Sequence, residues 1–178
     1  MSDLPTHFRV AQLVGTLGAS WLSGNMAALS LISVPALMRS QSEDHVAPVD
    51  VARSFKRILE KGGMNPPLIA LVACTNGYLA WSYRPGSWCQ RAFPDVDMVP
   101  YLAAAALTFS IVPFTMVAII PINKAMVQKA EGLRKPGSSG KSSATDDTQE
   151  LLGRWAVRNG VRSLLALVAA ALTLREVL

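Results

Sequence analysis

Apolar and polar residues fall along this chain in long blocks rather than in alternation. Three windows contain no Asp, Glu, Lys or Arg: Val10 to Met38, Met64 to Tyr83 and Met98 to Asn123. Each is long enough for a helix to cross bilayer hydrocarbon, which takes about 20 residues. A fourth block, Leu151 to Leu174, ends apolar but begins with Arg154, Arg158 and Arg162. Lipid cannot satisfy exposed backbone groups, and the runs are too long and too rich in Leu and Ala for barrel strands. The pattern predicts an all-α protein: a membrane-embedded four-helix bundle with spans near 10–38, 64–83, 98–123 and 151–174. No internal repeat divides it, so residues 1–178 read as one integral membrane domain.

The connections carry their own patterns. In "VDVARSFKRILEKGG" Asp50 is placed to cap a short amphipathic helix and Gly62 to close it. Val51, Phe55, Ile58 and Leu59 form its apolar stripe, opposite Arg53, Lys56, Arg57 and Lys61. Such a helix suits either an anionic membrane surface or a seat on the bundle with its charges in water. The stretch "RKPGSSGKSSATDDT" is too polar to bury a core, which predicts a mobile connection over about 133–148. Cys74 falls inside the second span and Cys89 in the polar segment after it, so no disulfide framework is expected. The first window far exceeds the apolar core of a secretory signal peptide, roughly 7 to 15 residues, and is read as part of the fold.

Charge sets an orientation. Connections one and three hold ten cations: Arg39, Arg53, Lys56, Arg57 and Lys61, then Lys124, Lys129, Arg134, Lys135 and Lys141. The other side holds Arg9, Arg84, Arg91 and Arg175. The positive-inside rule then places connections one and three in the cytoplasm and both termini across the membrane, as in a multi-pass endomembrane protein. Anchoring of this kind accounts for the net charge of +5, and no nucleic-acid partner is expected.

The arginines of the fourth block need a separate account. From Ser163 to Leu174 the purely apolar stretch spans about 18 Å of a hydrocarbon core about 30 Å thick, so the helix must borrow length from its charged start. That draws Arg162 about 12 Å inside the near boundary, while Arg154 and Arg158 can reach headgroups. A charge at such depth costs about 2.5–3.5 kcal/mol on insertion scales and faces the bundle interior. Trp155, Arg158, Asn159 and Arg162 share one helical face. All twelve Asp and Glu lie in connections or at helix ends, so the guanidinium must face other groups. Ser20, Ser23 and Asn25 of span one, Thr75, Asn76 and Tyr78 of span two, and Asn123 at the end of span three lie at comparable depth. They describe either ordinary interhelical hydrogen bonds or a polar pocket for a ligand that accepts hydrogen bonds and develops negative charge. The small residues Gly15, Ala19, Ser23 and Ala27 read as close helix packing.

The inventory narrows the chemistry. His7 and His45 are the only histidines, neither inside a span, so no metal site is expected within the membrane. A dinucleotide fingerprint and a phosphate-binding Gly-rich loop are missing from the sequence.

Several motifs together resemble a known family. They are Ser23-Gly24, "VPAL" at Val34 to Leu37, "YLAAAAL" from Tyr101, "PIN" at Pro121 to Asn123, and Trp155-x3-Asn159-x2-Arg162. In order and spacing, over about residues 10–172, they are similar to the anthrone oxygenases of polyketide pathways, small four-helix membrane proteins. The resemblance implies oxidation of an anthrone such as emodin anthrone to the anthraquinone, with O2 as co-substrate and no metal or flavin. Where the family pattern has Pro-Thr-Asn, this chain has Ile122 in place of the threonine.

On that reading Arg162 and Asn159, aided by Asn25 or Asn123, stabilise an anthrolate anion. Trp155 with Trp81 or Tyr78 stacks on the rings, Arg158 holds a peripheral phenolate, and Asn76 adds a polar contact. His45 is the candidate proton acceptor, with water or a substrate phenolate as alternatives. The expected partners are a small aromatic polyketide and the lipid membrane, and homo-oligomerisation is compatible with both. The rival readings are a non-catalytic membrane scaffold and an aromatic-acid carrier.

Overall fold

The computed structural model describes residues 5–62, 65–132 and 141–177. Among them the regular structure is all helical: α1 (Thr6–Ala28), α2 (Val34–Ser42), α3 (Pro48–Lys61), α4 (Asn65–Ser82), α5 (Trp88–Ala92), α6 (Met98–Phe114), α7 (Ile120–Ala130) and α8 (Lys141–Arg175). α1 runs into α2 through a π-helical turn at Leu29–Ser33, and α6 into α7 through another at Thr115–Ile119. Each turn stands just before a proline, Pro35 or Pro121, in the first turn of the next helix. Proline has no N–H and its ring collides with the carbonyl four residues back. Bonds of wider reach, Val34 N–H to Leu29 O and Ile120 N–H to Thr115 O, carry the helix past it.

Three helical stretches are long and apolar enough to cross a membrane: Thr6–Ser42, Met98–Ala130 and Asp147–Arg175. The expected second span is a helix, α4, of 18 residues and free of charge, but Asn65, Pro66, Pro67 and Asn76 leave it less apolar than those three. Polarity is arranged inside out. Val10, Leu17, Trp21, Phe109, Met116, Val157 and Leu164 are exposed, whereas Gln12, Thr16, Asn76, Thr108, Asn159 and Arg162 are buried. A soluble protein does the reverse, and lipid is the solvent that tolerates such an exterior.

The described residues form two compact units. The first comprises α1 to Gly24, α4, α5, α6 to Pro113 and α8 from Arg162; the second comprises the remainder of α1, α2, α3, the chain from Phe114 through α7, and α8 to Val161. In the first, Phe8, Leu79, Tyr83, Cys89 and Tyr101 cluster, with the Tyr83 and Tyr101 rings stacked at 6.0 Å. Gln12 Nε2 donates to Tyr101 OH at 2.7 Å, Thr16 to Thr173 at 3.1 Å, and Ser163 Oγ to the Ser23 carbonyl at 2.9 Å. Gly15 and Gly18 let α1 approach α4: a Cβ would stand 2.8 Å from Asn76 Oδ1 at the first and 2.5 Å from a Val72 methyl at the second.

In the second unit Val34, Val51, Phe55, Ile122, Met126, Leu152 and Trp155 form the core. Thus α3 turns its apolar stripe onto the protein, which decides between the two settings its pattern allowed. Its start differs from expectation. Ala47 occupies the cap position and Pro48 opens the helix, while Asp50 sits in the first turn, where its charge meets the helix dipole, and pairs with Arg53 at 2.9 Å. Gly62 closes it as expected. The connection expected over 133–148 lies partly outside the described residues, at 133–140, and from Lys141 on it belongs to α8. Lys129 ties that stretch down through Asp147 at 2.6 Å and Thr148 Oγ1 at 3.2 Å, and a helix already nucleated extends at little cost.

Candidate functional site

The polar face of α8 is built from Trp155, Arg158, Asn159 and Arg162, as the helical spacing predicts. In the second unit Trp155 is 2% exposed, set edge-on to Phe55 with ring centres 5.2 Å apart, and its Nε1 donates to Asn123 Oδ1 at 2.9 Å. An indole N–H can only donate, so this bond fixes the Asn123 amide with its oxygen toward Trp155 and its Nδ2 turned away. One turn along, Arg158 Nη1 donates to the Ala118 carbonyl at 2.7 Å, inside the π-helical turn before Pro121. A side-chain donor at such a turn stabilises backbone that proline has disturbed.

Asn159 is 1% exposed, and its Nδ2 donates to the Met26 carbonyl at 2.7 Å and to Ser30 Oγ at 2.8 Å. Both amide hydrogens are thereby occupied, so the oxyanion-donor role expected of Asn159 is replaced by anchoring of α8 to α1. Asn25, one residue before Met26, is half-buried in the same unit. His45 is exposed in the turn between α2 and α3, with φ at +54°.

In the first unit Arg162 is buried at 8% exposure. Asn76 is fully buried, its Nδ2 bonded back to the Val72 carbonyl at 3.1 Å and its oxygen against Gly15, so its neighbours are protein atoms. Tyr78 and Trp81 lie on the outer face of α4. Trp81 is 65% exposed under the Arg84 guanidinium at 4.0 Å, and Tyr78 stacks with Phe8 at 6.0 Å. At 100° per residue they stand off the buried face of Val72, Asn76, Leu79 and Tyr83, and this outward setting does not serve the interior stacking expected of them.

Sequence reasoning missed the partners of α8 because most are main-chain carbonyls or small hydroxyls. Pro35 and Pro121 were the available signal, since a proline in a long span marks disturbed carbonyls a few residues earlier. Among the described residues no group of three or more His, Cys, Asp and Glu is placed to hold a metal ion.

A family model described as anthrone oxygenase matches residues 55–172. The chain belongs to the anthrone oxygenase family. The match includes Asn123 and all four polar residues of the α8 face. Among similar family members, the anthrone oxygenase encC of Aspergillus fumigatus is 34% identical, over 92% of this chain and 90% of its own. An anthrone oxygenase of Claviceps purpurea is 29% identical, over 93% and 86%. The noranthrone monooxygenase of Aspergillus flavus is 27% identical, over 90% and 70%. No solved structure matches the chain.

Proposed function

We propose that this member of the anthrone oxygenase family converts a polyketide anthrone, such as emodin anthrone, to the anthraquinone with O2 and without metal or flavin. The observation that carries the mechanism is Arg162, a guanidinium buried within apolar α8 in a family named for oxidising anthrones. Loss of a proton from the central methylene leaves an anthrolate whose charge lies largely on oxygen. A fixed cation in a dry interior stabilises that anion strongly. The electron-rich anion passes one electron to O2, and the resulting radical and superoxide combine at the methylene carbon. The peroxide takes up a proton and loses water to leave the ketone, so each anthrone consumes one O2 and releases one water.

Asn159, Trp155 and Asn123 act as positioning residues that hold α8. We assign the proton acceptor to water or a substrate phenolate rather than to His45, which is exposed to solvent in the turn between α2 and α3. Purified protein, stripped of metals and given emodin anthrone in air, is expected to form the anthraquinone with one O2 consumed per anthrone. Turnover that disappears with chelators and returns with a metal, or no turnover at all, rules this reading out.

The proposed setting is a multi-pass endomembrane protein with α4 as a fourth span and α3 on the cytoplasmic side. Cys74 tests α4, because it is exposed on that helix and would lie in lipid. Burial pushes the Cys89 thiol up, so that residue holds little of the reactive thiolate. A membrane-impermeant maleimide given access to both faces of the bilayer is expected to spare Cys74 and to label it once the protein is denatured. Equal labelling in both states would place α4 outside the bilayer.

A further inference from the structure

Among the described residues two buried hydroxyls, those of Tyr83 at the end of α4 and Thr108 within α6, have no hydrogen-bond partner, and Thr108 is the one inside a span helix. Ser30 donates to the carbonyl four residues back at 3.1 Å and Thr173 at 3.2 Å, the usual resort of a buried hydroxyl within a helix. Thr108, on the buried face of α6 with Ala104 and Ile111, is 0% exposed, yet its Oγ1 has no hydrogen-bond partner among the described residues. That hydroxyl bonds neither to a carbonyl of its own helix nor to another described group. A buried polar atom in that state is costly, and natural proteins keep such atoms where something else completes them.

Its depth indicates what completes it. The start of α6 and the end of α8 are joined where the Asp97 N–H donates to Glu176 Oε2 at 3.1 Å. Counted from that junction, Thr108 lies ten residues into α6 and Arg162 thirteen residues back along α8. At 1.5 Å per residue these are depths of about 15 Å and about 20 Å, within one helical turn of each other. Both residues belong to the first unit.

We propose that Thr108 is a substrate-binding residue whose hydroxyl bonds a phenolic oxygen of the aromatic substrate held by Arg162. This rests on the anthrone-oxidising reading and adds to it a contact that selects for hydroxylated rings. A hydroxyl can donate or accept, which suits a phenol better than a second fixed charge would. The contact lies away from the reacting carbon and is made equally in ground and transition states, so its loss falls on KM rather than kcat.

The test compares Thr108→Val, which keeps the shape and removes the hydroxyl, with Thr108→Ser, which keeps the hydroxyl. For T108V with emodin anthrone KM is expected to rise about tenfold, as for one lost hydrogen bond, with T108S close to wild type. Without substrate, the Tm of T108V is expected to equal or exceed that of wild type, because an uncompensated buried hydroxyl has been removed. A wild-type KM in active T108V overturns the assignment and leaves the oxygenase reading standing. A Tm that falls in T108V and recovers in T108S overturns it in favour of a structural hydroxyl. Absence of anthrone oxidation by the wild type itself overturns the reading beneath it.

Discussion

Arg162→Gln is expected to lower kcat/KM for emodin anthrone by about 10²- to 10³-fold, the usual effect of removing one preorganised donor from a developing oxyanion. Glutamine keeps much of the length and an N–H donor but removes the charge, so the loss reports charge stabilisation rather than filling of space. The site magnifies the effect: at 8% exposure the guanidinium is shielded from water, and a charge there acts on a neighbouring anion with little screening. Arg162→Lys should fall between the two. It retains a positive charge but replaces a planar fork by a compact ammonium, which is more strongly hydrated and loses the two-point geometry. Oxygen uptake and quinone absorbance at matched protein level and Tm are the measurements. Rates near wild type in both variants would remove Arg162 from the mechanism.

Trp155→Ala is expected to cost about 3–5 kcal/mol of stability, the range for deleting a large buried aromatic. The ring is 2% exposed and fills the junction of α3, α7 and α8, where Phe55 meets it edge-on at 5.2 Å. Its removal also strips Asn123 Oδ1 of its 2.9 Å donor. Trp155→Phe keeps an aromatic ring beside Phe55 but loses the N–H and part of the ring volume, for an intermediate cost of about 1–3 kcal/mol. Thermal unfolding in one detergent, followed by loss of helicity, should rank wild type above W155F and W155F above W155A. Equal midpoints for W155A and wild type would mean that this cluster does not hold the second unit together.

These two residues also show how far the chain can be read without coordinates. Arg162 could be picked out as buried because twelve apolar residues follow it and a helix of that length cannot span hydrocarbon unaided. Trp155 could be placed on the same face by spacing alone. Its enclosure could not, because it depends on Phe55 of α3, a hundred residues earlier in the chain. The same holds for Asn159, whose partners are the Met26 carbonyl and the Ser30 hydroxyl. An asparagine in a span announces a hydrogen bond but not whether protein or ligand makes it.

The order of polar and apolar residues was sufficient for the helices, the three long apolar spans, the amphipathic character of α3 and the polar face of α8. Each follows from forces between near neighbours on one helix or between that helix and its solvent. Folding was needed to seat α3 on protein, to extend α8 back to Lys141, to turn Trp81 and Tyr78 outward, and to bury the Thr108 hydroxyl without a partner. Those outcomes depend on which distant segments come within hydrogen-bond or van der Waals reach. Periodicity along one segment carries no information about the surface that meets it.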